Sequence, residues 1–381
     1  MSDPCAPLPE KPQPPTSDPA YLRQVGERLT EVLEAVRRRP EAGLDIDEAK
    51  IAIFSDHHKG GRDGADDFQR CERAYCAALG YYLEAGFKLF VLGDAEELWE
   101  EEPETVLRCY RDVLELEAAF AEPGGGGLER FFGNHDDLWQ HAKEVDRHLR
   151  GYFSQLQVRE SLLLPVRDGN ELLGELFFVH GHQGTTESDK LGRWSRLPVR
   201  YLWRPLQRKL GYSATTPASD FRVRGKHDLA MFEWARVQRA DPPLVLVTGH
   251  THRPVFSLPD PPARSAEVIR TELQEARATG DQIKVRELRA ELEHRRAIER
   301  DRQASALTVT PPCYFNSGCC SFPDGDITGL EIEAGEIRLV RWPDDEERPM
   351  RRELGCKPLR DVFREVGEAT SGDAEILERM P

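Results

Sequence analysis

The segment LFVLGDAEELW, residues 89–99, runs four large apolar side chains directly into a glycine and a carboxylate. An unbroken apolar run of that length fits a strand covered on both faces, as in a sheet flanked by helices. Gly93 allows the sharp turn that leaves Asp94 at the strand's end. The same pattern recurs on both sides. Residues 51–54 stop before Asp56, Phe131 and Phe132 before Asn134, residues 176–179 before His180, and residues 244–247 before His250. Helical periodicity fills intervals such as 67–85 and 104–120, so the chain reads as α/β. Ligands in such folds gather beyond the carboxyl ends of the strands, where all five polar clusters fall.

Residues 1–20 hold many prolines and few large apolar groups, which predicts a disordered N-terminus. From Tyr21, the spacing of Leu22, Val25, Leu29, Val32, Leu33 and Val36 predicts an amphipathic helix. The core domain spans 21–343, with late strands over 308–316 and 326–342 and a hairpin through Glu333, Ala334 and Gly335. Two stretches read as insertions. Residues 187–227 carry ten Lys and Arg against three acids, interleaved with Trp and Tyr, and form a basic cap. Residues 262–305, dense in Glu, Arg and Ala, form a charged helical arm. Residues 344–381 read as a peripheral tail.

The net charge of −16 repels nucleic acid and anionic membranes over most of the surface, so no stable nucleic-acid binding is expected. The eight cysteines show neither a CxxC pair nor the spacing of a disulfide framework, which predicts reduced thiols. No basic-then-apolar leader and no apolar run near the ~20 residues of a membrane span is present. A cytoplasmic location is the expectation.

An Asp and a His two positions apart, as in SDHHKG at 55–60, mean little alone. GNHD supplies Asn134 and His135, HGH supplies His180 and His182, and GHTH supplies His250 and His252. Carboxylate, amide and imidazole without thiolate suit first-row ions, foremost Mn²⁺, with Fe or Zn²⁺ as alternatives. Two ions roughly 3.5 to 4 Å apart can share a carboxylate, and a water between them loses its proton near neutral pH and becomes the nucleophile.

The ordered blocks DxH, GDxxE, GNHD, HGH and GHTH resemble the calcineurin-like metallophosphoesterase family, from residue 51 to His252 and on to Asn316, Ser317 and Gly318. The resemblance implies a β-sandwich flanked by helices, here with helical insertions. It further implies two divalent metal ions: Asp56, His58 and His252 on the first, Asn134, His180 and His250 on the second, Asp94 bridging. His135 would protonate the leaving oxygen or stabilise phosphoryl charge, and Asp136 would orient that imidazole. Glu97 reads as a hydrogen-bond acceptor behind the ligands. His57 and His182 read as supporting or exposed groups, and His141, His148 and His227 as ordinary surface or helix histidines.

GDAEELW and GHTHRP are similar to segments of the UDP-2,3-diacylglucosamine pyrophosphatase branch, which has Arg where this chain has His135 and Asp where it has His182. A small or lipid-linked phosphate compound is therefore the expected substrate, contacted by Arg253 and, from the basic cap, by Arg193 and Arg204. Residues 187–212 could also lie against a membrane surface. A nuclease or cyclic-nucleotide phosphodiesterase would use the same donors. An inactive binding scaffold of the same fold is the non-catalytic alternative.

Overall fold

The computed structural model describes residues 18–39, 41–185, 221–238, 241–256, 311–344 and 347–378, with Leu273 and Arg277. Residues 1–17, most of the expected basic cap (Arg193 and Arg204 included) and nearly all of the charged arm lie outside the described residues.

The apolar runs pair as strands. β2 (Lys50–Phe54), β3 (Lys88–Leu92), β4 (Leu128–Phe131) and β5 (Val158–Arg159) lie parallel in that order. Beyond β2 the sheet continues antiparallel through β11 (Ile327–Glu333), β12 (Glu336–Trp342) and β13 (Arg352–Pro358), giving seven strands. The second sheet has six: β1 (Leu44–Asp45), β6 (Ser161–Asp168), β7 (Glu171–Val179), β8 (Leu244–Thr248), β10 (Tyr314–Ser317) and β9 (Pro254–Val255), side by side in that order. Its middle strands, β7, β8 and β10, run parallel.

Strand alternation divides the core into layers. Phe90 of β3 meets Phe178 of β7 edge-to-face at 5.0 Å, so the two sheets pack face to face. Leu89 and Val91 turn the other way, into a cluster with Tyr75, Ala78 and Leu79 of α2 (Glu72–Glu84) and Val113 and Leu114 of α4 (Arg111–Ala119). Tyr110 separates α4 from the short α3 (Pro103–Cys109), so the periodicity over 104–120 covers two helices. On the outer face of the second sheet, Phe177 contacts Trp234 of α6 (Phe221–Val237) at 5.9 Å. Trp234 donates to Thr30 of α1 (Pro19–Arg37), whose N-terminus is capped by the Asp18 carboxylate. Each large side chain so buried contributes roughly 1.5 to 3 kcal/mol. The result is the expected α/β architecture: two mixed sheets flanked by helices.

The expected hairpin joins β11 to β12, with Ala334 and Gly335 both at positive φ, as a two-residue turn of the twisted hairpin type requires. The stretch after Pro343 departs from its reading as a peripheral tail. It supplies β13 and then α7 (Leu359–Glu378), which buries Leu359, Val362, Phe363 and Val366. The Phe363 ring fills the space over Gly174 of β7, where an added Cβ would meet it at 2.1 Å. Charge had masked the four-residue apolar series that seats this helix. The seven described cysteines are all free thiols, as expected.

Candidate metal centre

The parallel strands of the two sheets end at a common edge. Asp56 follows β2, Asp94 follows β3, Asn134 and His135 follow β4, His180 follows β7, and His250 and His252 follow β8. Eight described non-glycine residues have positive φ, and five are Asp56, His58, Asp94, His250 and His252. Left-handed backbone costs a non-glycine residue about 1 to 3 kcal/mol and persists where the surroundings impose it. Its concentration here marks a shaped site rather than ordinary turns.

Three groups of donor atoms converge, of which the first two join the sheets: Asp56, His58 and His252; Asp94, His180 and His250; and His58 again with Glu97 and His135. In the first, His58 Nε2 lies 3.0 Å from His252 Nε2, which is itself 3.3 Å from Asp56 Oδ1. In the second, His180 Nε2 lies 3.1 Å from Asp94 Oδ2. The carboxylates stand between the groups. Asp94 Oδ2 is also 3.8 Å from His58 Nε2, and Asp56 Oδ1 is 4.0 Å from both His58 Nε2 and His180 Nε2.

The remaining atoms of these side chains are already engaged. Asp56 Oδ2 accepts from the His250 amide at 2.8 Å and from the Ser55 hydroxyl, which leaves Oδ1 buried without a hydrogen bond. Asp94 Oδ1 accepts from the His135 amide at 2.8 Å, leaving Oδ2. His180 Nδ1 donates to the Leu92 carbonyl at 2.8 Å and His58 Nδ1 to Glu97 at 3.0 Å, so in both imidazoles Nε2 is the atom left to face the carboxylates. Asn134 Oδ1 is likewise buried without a hydrogen bond. Convergent buried carboxylate, amide and imidazole atoms of this kind fit divalent cations.

The electrostatics agree. Burial works against the charge on Asp94, yet His180, His135 and His58 hold its carboxyl well below the usual range. Burial likewise opposes Asp56, and His252 and His180 prevail. His180 resists burial through Asp94 and Asp56 and is raised to about 9, whereas burial depresses His182 to about 3 and His250 well below its ordinary value.

His135 lies beside the first group. Its Nδ1 is 2.7 Å from Glu97 Oε2, and its ring stacks on Trp99 with centroids 4.1 Å apart. Asp136 does not orient this imidazole, contrary to the sequence expectation. Its oxygens accept from the amides of Gly133 (2.6 Å), Ala95 (2.8 Å) and Asp94 (3.3 Å), so it ties together the turns after β3 and β4. Burial, with the charges of Asp94 and Glu96, raises its carboxyl to about 7. Glu97 contacts His135 instead.

Other expectations divide. Arg253 lies at the GHTH turn with its Nε 3.6 Å from Asp228 Oδ2. His57 points into the helical layer, its ring 4.4 Å from Tyr75, away from the donor groups. His182 is buried, 5.4 Å from His180 ring to ring. His227, read as an ordinary surface or helix histidine, is buried on α6 5.2 Å from His250, accepts from Tyr21 and contacts the Gly181 carbonyl. Asp228, beside it, accepts from Thr251 and Tyr314, and Asn316 donates to the Gly249 carbonyl at 2.6 Å, so both brace the GHTH turn. Neither His227 nor Asp228 had a motif to reveal it, although the apolar series Ala230, Met231 and Trp234 marks the buried face of their helix.

Among the solved structures, the chain is similar to Vacuolar Protein Sorting 29 from Cryptosporidium parvum, with 10% identity, 81% of this chain and 98% of that chain covered, and a TM-score of 0.31. A likeness that weak carries no argument about the site. No family model and no curated protein matches the sequence.

Proposed function

We propose that this chain is a dinuclear-metal hydrolase of phosphate ester or pyrophosphate bonds, working in the manner of the calcineurin-like metallophosphoesterases that its motifs resemble. One observation carries the reading: His58 and His180 each have Nδ1 committed to a fixed acceptor, so that both Nε2 atoms face the carboxylates Asp56 and Asp94. Asp56, His58 and His252 would hold one cation, Asn134, His180 and His250 the other, and Asp94 both. Bound there, Mn²⁺ or a similar ion supplies positive charge for the phosphoryl oxygens and makes water acidic enough to attack near neutral pH.

The chain's own groups do the rest. Asp94 accepts the His135 amide on Oδ1 and would hold metal through Oδ2, so the same carboxylate would bind metal and place the acid. Glu97, held ionised with a pKa of about 2 against burial by His135 and His58, keeps the His135 ring oriented and favours its charged form. Trp99 covers one face of that ring, restricting its rotation. His135 then delivers a proton to the departing oxygen. Arg253, at the same edge, suits a phosphate of the substrate, with Asp228 beside it to hold the guanidinium in place. A small or lipid-linked phosphate compound fits better than nucleic acid, which the acidic surface repels.

The test is hydrolysis of bis-p-nitrophenyl phosphate, then of a panel of phosphorylated metabolites and nucleotide-linked lipids, by the Mn²⁺-loaded and metal-stripped protein. Metal-dependent turnover supports the reading; stoichiometric binding of two ions with no turnover on any compound would make the chain a scaffold.

A further inference from the structure

Behind the metal centre, on the helical side of the sheet, lie four charged side chains with almost no solvent contact: Lys59, Glu96, Glu117 and Arg130. Lys59 Nζ is 2.6 Å from Glu117 Oε1 and 3.8 Å from Glu96 Oε1. Arg130 Nη2 donates to both oxygens of Glu96 at 2.8 and 2.7 Å, and its Nη1 is 3.8 Å from Glu117 Oε2. Trp139 donates to Glu96 at 2.9 Å and Tyr75 to Glu117 at 3.2 Å. The group is neutral as a whole.

Burying four charges is a poor way to stabilise a core, because well-packed apolar residues of similar volume serve as well or better. Their placement offers another reason. Lys59 and Glu96 are partners in an isolated parallel bridge between the turns after β2 and β3. Around it, His58 N donates to Asp94 O at 3.0 Å, Lys59 N to Ala95 O at 3.1 Å and Glu97 N to Lys59 O at 3.0 Å. Neighbouring side chains on these segments point opposite ways. His58 and Glu97 face the donor groups, and Lys59 and Glu96 face the helices. A slip of one position would exchange the two sets. An apolar pair at these positions would bury equally well in either register, whereas a cation and an anion that must meet Glu117 and Arg130 accept only one.

We propose that Lys59, Glu96, Glu117 and Arg130 form a positioning network that sets the register in which His58 meets Glu97. Glu117 belongs to α4 and Arg130 to β4, so the network ties both turns to the strand that leads into Asn134 and His135. These residues touch no substrate and act through His58, Glu97 and His135. The kinetic part of the test rests on the phosphoesterase reading, and the spectroscopic part does not.

The decisive variant is Lys59→Met with Glu117→Gln, which leaves the Arg130 and Glu96 charges balanced and keeps an oxygen for Tyr75. Its thermal stability should equal or exceed that of the parent. In the metal-free protein, the imidazole Nδ1 proton that His58 shares with Glu97 should lose its downfield position and slow exchange. In the Mn²⁺-loaded protein kcat on bis-p-nitrophenyl phosphate should fall roughly 10- to 100-fold, with KM little changed. Arg130→Lys, which keeps the charge but loses the two-pronged contact, should shift the same signal by less. An unchanged imidazole signal in both variants overturns the proposal. Unfolding of the charge-balanced double variant overturns it too, since the network would then serve stability. Should the parent hydrolyse nothing, the imidazole signal still decides the matter.

Discussion

The two sheets bring different chemistry to their shared edge. The sheet built on β2, β3 and β4 contributes Asp56, Asp94 and Asn134 with His58 and His135, and the sheet built on β7, β8 and β10 contributes His180, His250 and His252. Oxygen donors come from one side and most of the imidazoles from the other. The Asp56–His58–His252 and Asp94–His180–His250 groups each draw from both sheets, so neither exists until the sandwich has closed. Metal binding by these groups would thereby report on the packing between sheets.

Removing the shared carboxylate should break this arrangement most completely. Asp94→Ala is expected to lose both ions and all measurable turnover, read by metal analysis and by bis-p-nitrophenyl phosphate hydrolysis; full metal content with full activity would end the bridging role. His135→Ala leaves the Asp56–His58–His252 and Asp94–His180–His250 groups whole, so it should keep its metal while kcat drops roughly 10²- to 10⁴-fold. Retained turnover would show that His135 transfers no proton.

The joint between sheets can be strained without substituting a donor. An added Cβ at Gly93 would meet the His180 ring at 2.6 Å and the Gly133 amide at 2.9 Å, and φ there is +87°. Gly93→Ala should cost about 1 to 3 kcal/mol and lower metal content on the His180 side. Wild-type melting and metal stoichiometry would show that the joint has slack. Phe363→Ala, remote from the edge, should cost about 3 to 5 kcal/mol in urea unfolding yet leave metal affinity unchanged.

The last effect is one of pH. In the metal-free protein His180 has its pKa raised from 6.5 to about 9, so its pairing with Asp94 and Asp56 stabilises the fold fully below pH 6.5. That contribution fades as pH climbs through about 9. A bound ion displaces the proton, so Mn²⁺ should flatten this part of the stability profile and release protons on binding. An identical profile with and without metal would separate His180 from the ion.

The strands and their polar terminators were legible because both are local. Four apolar residues followed by Gly93 and Asp94 state a strand, a turn and a carboxylate at the strand's end within six positions. The β11–β12 hairpin was legible for the same reason, its turn at Ala334 and Gly335. The docking of α7 was not. Its apolar residues are sparse among charges, and only the open space over Gly174 shows where Phe363 belongs. Asp136 went astray because adjacency to His135 in the chain says nothing about where a side chain finds donors. Three backbone amides claim it, two of them from the turn after β3.

Composition and motif order thus settled which donor atoms this protein owns and which strand ends carry them, because residue type and strand periodicity are properties of short segments. Folding alone decided which atom of each donor is left to face a cation, which acid holds His135, and why four charges lie buried behind the site. Those outcomes depend on meetings between distant positions, such as Asp56 with the His250 amide 194 residues away, and no local pattern encodes the distance between them.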